Sequence, residues 1–352
     1  VAVFLECVDQ EVNIATGTGL PWPVPVFFFA ASAKVCQAFM IRYILQRLFG
    51  MIVVMFLVVT IVFVIVRVTP GDPAAVMLGP DATPQDIADL RSRLGLDQSL
   101  GLQYVYYIGQ LLKGDLGQSI FLNMPVTSAL LDRAEPTFFL TLFSLAIASI
   151  IALPIGIYAA YRRGSFVDQA ATTLAMLAAS IPSFWLGLIL MQFFAVRLNL
   201  FPVSGYGGPG STFFERMYHL TLPAFALGIV SSALILRFTR ASMLDVLGED
   251  YIRTARAKGL IERRVILKHA LKNALIPILT VIGLTAAVLI SGAVVTETVF
   301  GLPGVGNLVV SAVLRRDYPV IQGALLVIAA LYVLINFAID MLYLLIDPRV
   351  RY

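Results

Sequence analysis

The residues with chemistry to offer are few, and most are gathered in one place. Between Glu249 and Lys272 stand seven basic side chains (Arg253, Arg256, Lys258, Arg263, Arg264, Lys268, Lys272) against three acids (Glu249, Asp250, Glu262). Cations at that density attract carboxylates or phosphates out of water, but they break no bonds by themselves. No GxxxxGK[ST] phosphate loop occurs. GLPGVG at 301–306 has the glycines, but no lysine follows and no strand precedes it, so it reads as a turn-rich connector. Two histidines, His219 and His269, are too few for a multi-histidine metal site. The two cysteines, Cys7 and Cys36, make neither a disulfide framework nor a CxxC spacing. With no nucleophile–base pair in view, the chain is expected not to be an enzyme and to hold no cofactor or metal of its own.

The surroundings of the basic stretch are written for lipid. Of 352 residues, 59% are hydrophobic and 13% charged, and the mean hydropathy is +0.89. Soluble chains carry about 25% charged residues, so this is an integral membrane protein. A net charge of +4 is a poor argument for nucleic acid as a partner. A hydrocarbon core about 30 Å thick takes about 20 apolar residues as helix. Six stretches qualify, at 49–68, 137–160, 171–195, 221–237, 274–296 and 320–346, the fourth being the shortest and opening on Pro223. Each must be helical, because backbone polar groups in lipid find no water.

Lysine and arginine placement orients these spans. Arg42 and Arg47 precede the first, Arg162 and Arg163 lie between the second and third, the basic stretch lies between the fourth and fifth, and Arg349 and Arg351 follow the sixth. Six spans put all of them on one side, which is then the cytoplasm and holds both termini. The opposite side carries 69–136, with eight acids and four bases for a net −4. There Thr83 can cap a helix with Pro84 at its first position and Asp86 in its first turn; Ile87, Leu90 and Leu94 make one apolar face, and Gly95 ends it. A second helix is expected at 101–112. The region reads as a small folded cap, either packed passively on the bundle or serving as a docking surface. The Gly/Pro-rich loop 197–220 reads as irregular surface. Residues 1–39 look unlike the rest, and at Met40 the sequence takes on the style of a membrane-protein start; the expectation is that Met40 is the functional start and 1–39 an upstream extension.

Ionisable groups within the spans are scarce: Arg67, Glu297 and Asp340 sit near span ends. Proton- or ion-coupled carriers need charges inside the membrane, so a solute moved by this chain would draw its energy elsewhere. The polar groups that can line a pathway are Ser180, Ser183, Gln192, Thr280, Thr285 and Ser291, though each also suits a helix–helix contact. Gly283, Ala287 and Ser291, four apart, allow close helix packing. Pro182 and Pro277 are expected to bend their helices. In the basic stretch, 251–258 reads as a helix stopped by Gly259, with a second helix at 261–272 leading back into the membrane. A solvated loop that only fixes orientation would have the same composition.

Here the sequence resembles a known family over about residues 40–352: the membrane permease subunits of ABC importers, in the dipeptide/oligopeptide/nickel permease group. The motifs DYIRTARAKGL…HALKNALIP, TPGDP (69–73), LGLD (94–97), GDLGQS (114–119), SIPSFWLG (180–187) and ETVFGLPGVGNL (297–308) stand in that order. The cytoplasmic stretch is similar to the family's EAA loop, whose general pattern is Glu-Ala-Ala, three residues, Gly, then nine residues before Ile-x-Leu-Pro. Gly259 matches the Gly and Ala255 the second Ala. Arg253 and Thr254 replace Glu and Ala, and His269-Ala270-Leu271-Lys272 replaces the last four.

The resemblance implies an all-α membrane protein of the type I ABC importer permease fold. It implies six transmembrane helices, a coupling loop at 241–273 and a periplasmic cap after helix 1. Its parts would be the atypical extension 1–39, the first span at 40–68, the cap at 69–136 and the permease core at 137–352. It implies coupling to an ATPase through Arg253, Thr254, Ala255, Ala257, Lys258 and Gly259. The implied partners are a second permease, two cytoplasmic ATP-binding subunits that carry the ATP, a periplasmic solute-binding protein and the bilayer of a bacterial inner membrane. Peptides are the expected solute, with nickel, glutathione and other small solutes as alternatives. A self-contained channel or carrier, or a membrane scaffold with an acidic partner, are the competing readings.

Overall fold

The computed structural model describes residues 26–68, 73–78, 82–93, 95–208 and 210–346, with side chains at 44–68, 74–75, 78, 82–92, 95–208 and 210–342. The described residues are almost entirely helical. α1 runs Val26–Val68. Its backbone passes through Met40 without a break; the rest of the 1–39 segment and Leu94 lie outside the described residues. Three short helices follow: α2 (Pro73–Leu78), α3 (Pro84–Arg93) and α4 (Leu100–Leu112). The Thr83 cap forms as expected, with Asp86 N–H donating to Thr83 Oγ1 at 3.2 Å and Thr83 N–H donating to Asp86 Oδ2 at 3.1 Å.

The long helices are α5 (Val126–Tyr161), the bent pair α6 (Phe166–Ser180) and α7 (Ser183–Arg197), α8 (Phe213–Leu247), α10 (Glu262–Val299) and α12 (Tyr318–Ile346); α9 (Asp250–Ala257) and α11 (Val305–Arg315) are short. Among the described residues five helices are long and apolar enough to cross a membrane, and there are six spans where the bent pair α6–α7 counts as one. The chain is a multi-pass membrane protein.

Several expected boundaries move. The third span is not one rod, because its halves meet at 95°. Pro182 disfavours helical backbone at the residue before it, and Ile181 is extended (φ −93°, ψ 124°). Pro277 and Pro223 stay inside helices. The span expected at 137–160 is the C-terminal two-thirds of a helix 36 residues long, and that expected at 221–237 the middle of one 35 residues long. Within the segment 241–273, the expected short helix, Gly259 turn and returning helix are present: α8 runs in to Leu247, α9 follows, and α10 begins at Glu262, leaving Gly248–Glu249 and 258–261 as turns. Residues 213–220 of the expected loop 197–220 are helical, opened by a capping box between Thr212 and Glu215.

The chain divides into two compact units. In the first, residues up to 60 and from 330, Arg47 Nε pairs with Asp340 Oδ2 at 3.2 Å. In the second, residues 61–329, α8 is the central helix: 61% of its most apolar stretch is buried. α5 lies against it at close range. A Cβ on Gly228 would come within 2.8 Å of Ile147, and one on Gly156 within 2.9 Å of Thr239, so each helix presents a glycine where the other's side chain approaches. Leu140, Ile147, Leu220, Leu227, Leu289 and Phe300 fill the core at one end of α8, and Met243, Ile252, Val265, Ala274 and Ile278 at the other.

Candidate functional site

The basic stretch forms a short helix held to the bundle by two small anchors. α9 is eight residues long. Ile252 and Ala255, three apart, are buried against Ala160 of α5, Met243 of α8 and Val265, Ile266 and Ala274 of α10. Thus α9 rests where three long helices end. Arg253, Thr254, Arg256, Ala257, Lys258 and Gly259 are exposed. Of the six residues carried over for coupling, five form this outer surface, while Ala255 packs inward.

Gly259 shapes the exit. Its φ is +77°. Its N–H donates to the Arg256 carbonyl at 2.9 Å and the next N–H, of Leu260, to the Ala255 carbonyl at 3.4 Å. This is a Schellman closure, and Leu260 turns inward onto the cluster that holds Ala255. Tyr251 Oη accepts from Asn273 Nδ2 at 2.7 Å, tying the head of α9 to α10. Asn273 and Tyr251 carried no signal that separated them from other polar residues in the sequence.

The charges are partly matched. Arg253 pairs with Asp250 at 3.2 Å and Arg256 with Glu262 at 2.9 Å. Lys258, Arg263, Arg264, Lys268 and Lys272 are exposed and make no ion pair among the described residues. The surface is a cationic rim around an exposed helix with Ile261 beside it, 77% exposed. It can take up an acidic partner surface.

The same end holds the one bidentate ion pair described. Arg240 Nε and Nη2 donate to the two oxygens of Asp168, at 2.5 and 2.8 Å. Asp168 Oδ2 also accepts from Gly164 N–H at 2.9 Å. Arg240 lies one turn before Met243, which packs on α9. The pair therefore joins α6 to the part of α8 that carries α9.

The six pathway candidates differ in burial. Ser180, Gln192 and Ser291 are exposed, Ser183 and Thr280 half-buried, and Thr285 buried. Ser180, Thr280 and Thr285 each donate to the carbonyl four residues back, which suits packing in lipid as well as a pathway. On α10, Gly283 and Ala287 are buried within the chain, whereas Ser291 shares an open stripe with Leu284, Val288, Val295 and Thr298. A cleft of about 130 Å³ lined by Arg133, Ser311, Arg315, Asp317 and neighbours is smaller than the 300–1,000 Å³ usual for ligand pockets.

At the other end of α10 the structure shows what sequence reading passed over. Glu297 is fully buried. Its Oε1 accepts from Thr137 Oγ1 at 2.5 Å and its Oε2 from Asn307 N–H at 3.0 Å, at the start of α11. A Cβ on Gly304 would lie 2.2 Å from the Glu297 carboxyl carbon, and one on Gly306 2.5 Å from Val294 Cα. The glycines of GLPGVG let the chain close over this carboxylate, whose charge suits a helix N-terminus. Nearby, Glu135 Oε1 accepts from Arg216 Nη1 at 2.5 Å and from Tyr206 Oη at 3.2 Å. Gly205 N–H donates to the Phe300 carbonyl at 3.0 Å, so the loop before α8 is pinned at several points. Burial and the Glu135 carboxylate push the Tyr206 phenol up to about 12.

Residues 152–352 match the family described as binding-protein-dependent transport system inner membrane component. Residues 40–141 match its N-terminal counterpart, the membrane component N-terminal family. The chain is 46% identical to the probable peptide ABC transporter permease protein y4tP of Sinorhizobium fredii, over 88% of this chain and 99% of that one. It is 40% identical to the dipeptide transport system permease protein DppB of Escherichia coli, over 89% and 99%. With the glutathione transport system permease protein GsiC of Salmonella choleraesuis it shares 43% over 89% and 100%. Its fold is similar to a chain of the methionine ABC transporter MetNI in an inward-facing conformation, with TM-score 0.52 and 18% identity over 62% of this chain and 96% of that one.

Proposed function

The chain belongs to the family of binding-protein-dependent transport system inner membrane components, and from that premise we propose that it is one permease of an ATP-driven importer of short peptides. The observation that carries the coupling role is the geometry of α9. Its inner side is fastened by Ile252 and Ala255 where α5, α8 and α10 end, and its outer side is open, polar and basic. A push on α9 thereby acts on three long helices together. Arg253, Thr254, Ala257, Lys258 and Gly259 meet an ATPase subunit, and Ala255 seats the helix. ATP is bound by two such partner subunits rather than by this chain. The basic end faces the bacterial cytoplasm with both termini, and the 69–136 cap faces the periplasm, where a solute-binding protein delivers its load. The open stripe of α10 faces a second permease, and the pathway runs between the two. Functionally the chain divides at 40–68, 69–136 and 137–352.

The test is reconstitution with candidate partners. ATP hydrolysis should require this chain, the second permease and the ATPase subunits together, and rise when loaded solute-binding protein is added. Uptake of solute by the chain alone, without ATPase subunits, overturns the reading. The GsiC relative makes glutathione the second solute to try, and competition between a labelled dipeptide and glutathione separates the two.

A further inference from the structure

α4, LGLQYVYYIGQLL, contains no charged residue and is apolar or aromatic on both sides. One side packs. Tyr104 and Tyr107 lie on Phe63 of α1, with ring centroids 5.2 and 5.5 Å apart, and Gln103 Oε1 accepts from Arg67 Nε at 2.8 Å. The other side is open: Val105 is 65% exposed, Tyr106 66% and Leu112 84%, with Leu102 beside them. A helix that is apolar all round is found buried in protein or in lipid, yet half of this one has no protein over it among the described residues. Its neighbour α3, PQDIADLRSR, is charged and mostly exposed, as a helix in water should be.

The position of α4 tells what covers its open side. α1 ends at Val68, with Arg67 closing its apolar run. Phe63, the ring on which α4 sits, comes five residues earlier, about 7.5 Å inward at 1.5 Å per residue. Helices that lie in the membrane surface sink about 5–10 Å into the headgroup and acyl boundary. Tyrosines collect at that depth, and long cationic side chains there reach out to the headgroups. Tyr104, Tyr106 and Tyr107, with Lys113 after them, are such a set.

We propose that α4 lies in the lipid interface at the Val68 end of α1, with Leu102, Val105, Tyr106 and Leu112 immersed among acyl chains and only the rest of the cap standing in water. A docking surface for a protein is the competing occupant. The inference rests on the chain being a membrane protein, not on what it transports, so it stands or falls apart from the importer reading.

Site-specific quenching tests it. In the full chain with Cys7→Ser and Cys36→Ser, single cysteines are placed at Val105→Cys, Tyr106→Cys and Leu112→Cys, and at Ser92→Cys on α3 as the aqueous comparator. Each is labelled with bimane in phosphatidylcholine nanodiscs. Three positions guard against one substitution upsetting the fold. The α4 labels should be quenched by 5-doxyl lipid at least two-fold more than by 12-doxyl lipid, and by iodide at least five-fold less than the Ser92 label. Iodide quenching equal to that at Ser92 overturns the proposal. So does stronger quenching by 12-doxyl lipid, and so does protection from both iodide and doxyl lipid, which would mean that protein covers the face.

Discussion

Gly259 has nothing within 4 Å of where its Cβ would be, so a side chain there has room but the wrong backbone, φ +77°. The left-handed region costs an ordinary residue about 1–2 kcal/mol, and asparagine least among them. Gly259→Val should therefore lower uptake about ten-fold or more, with the amount of inserted protein unchanged on immunoblots, while Gly259→Asn keeps most of it. Equal uptake by both variants would remove Gly259 from the coupling surface. Tyr206 gives a second test at this scale. Its phenol is held protonated by burial and by Glu135, with a folded pKa of about 12 against an ordinary 10. The stability it contributes is complete below pH 10 and is lost as pH rises from there through about 12. Phenolate absorbance in a titration of wild type minus Tyr206→Phe should appear near pH 12, and not near 10.

At the scale of helices, the Asp168–Arg240 pair is the one lateral tie described between α6 and α8 that uses full charges on both sides. Removing one partner leaves the other charge poorly placed, a loss of up to about 3 kcal/mol. Asp168→Ala should lower the melting temperature in detergent by several degrees, and adding Arg240→Met should restore about half of it. If the double variant melts no higher than the single one, the pair is not the source of the loss. Much of the helical layout was legible beforehand, because apolar runs of membrane length admit one backbone solution. Their ends were not. An apolar run measures lipid thickness, and helices such as α5 continue past it through Asp132, Arg133 and Glu135. The 95° turn at Pro182 was visible only as a bend of unknown size. Glu297 looked like a charge at a span end, since its partners Thr137 and Asn307 come from two other helices. Its one local signal was the crowding of Gly301, Gly304 and Gly306 just after it. The exposed side of α9 followed from composition, whereas its anchoring by Ile252 required the ends of α5, α8 and α10 to meet.

Along the chain as a whole, charge is divided between two segments, a basic one around α9 and an acidic one at 69–136. The sidedness proposed for it can be read directly. In intact cells, an impermeant maleimide should label Ser92→Cys once the outer membrane is opened, and should reach Lys258→Cys only after lysis. Labelling of both from one side would refute the six-span arrangement. The centre of the second unit has a consequence for how the chain is made. α8 is the least apolar of the five single-helix spans and the most enclosed by its neighbours, so it enters a bilayer less on its own account than by finding protein already there. α5 is that protein, and its last residue precedes the first of α8 by 52 positions, about 3–10 s of synthesis at ordinary rates. During that interval the glycine-notched face of α5 waits uncovered, and whatever shields it in the insertion machinery becomes part of this protein's folding path.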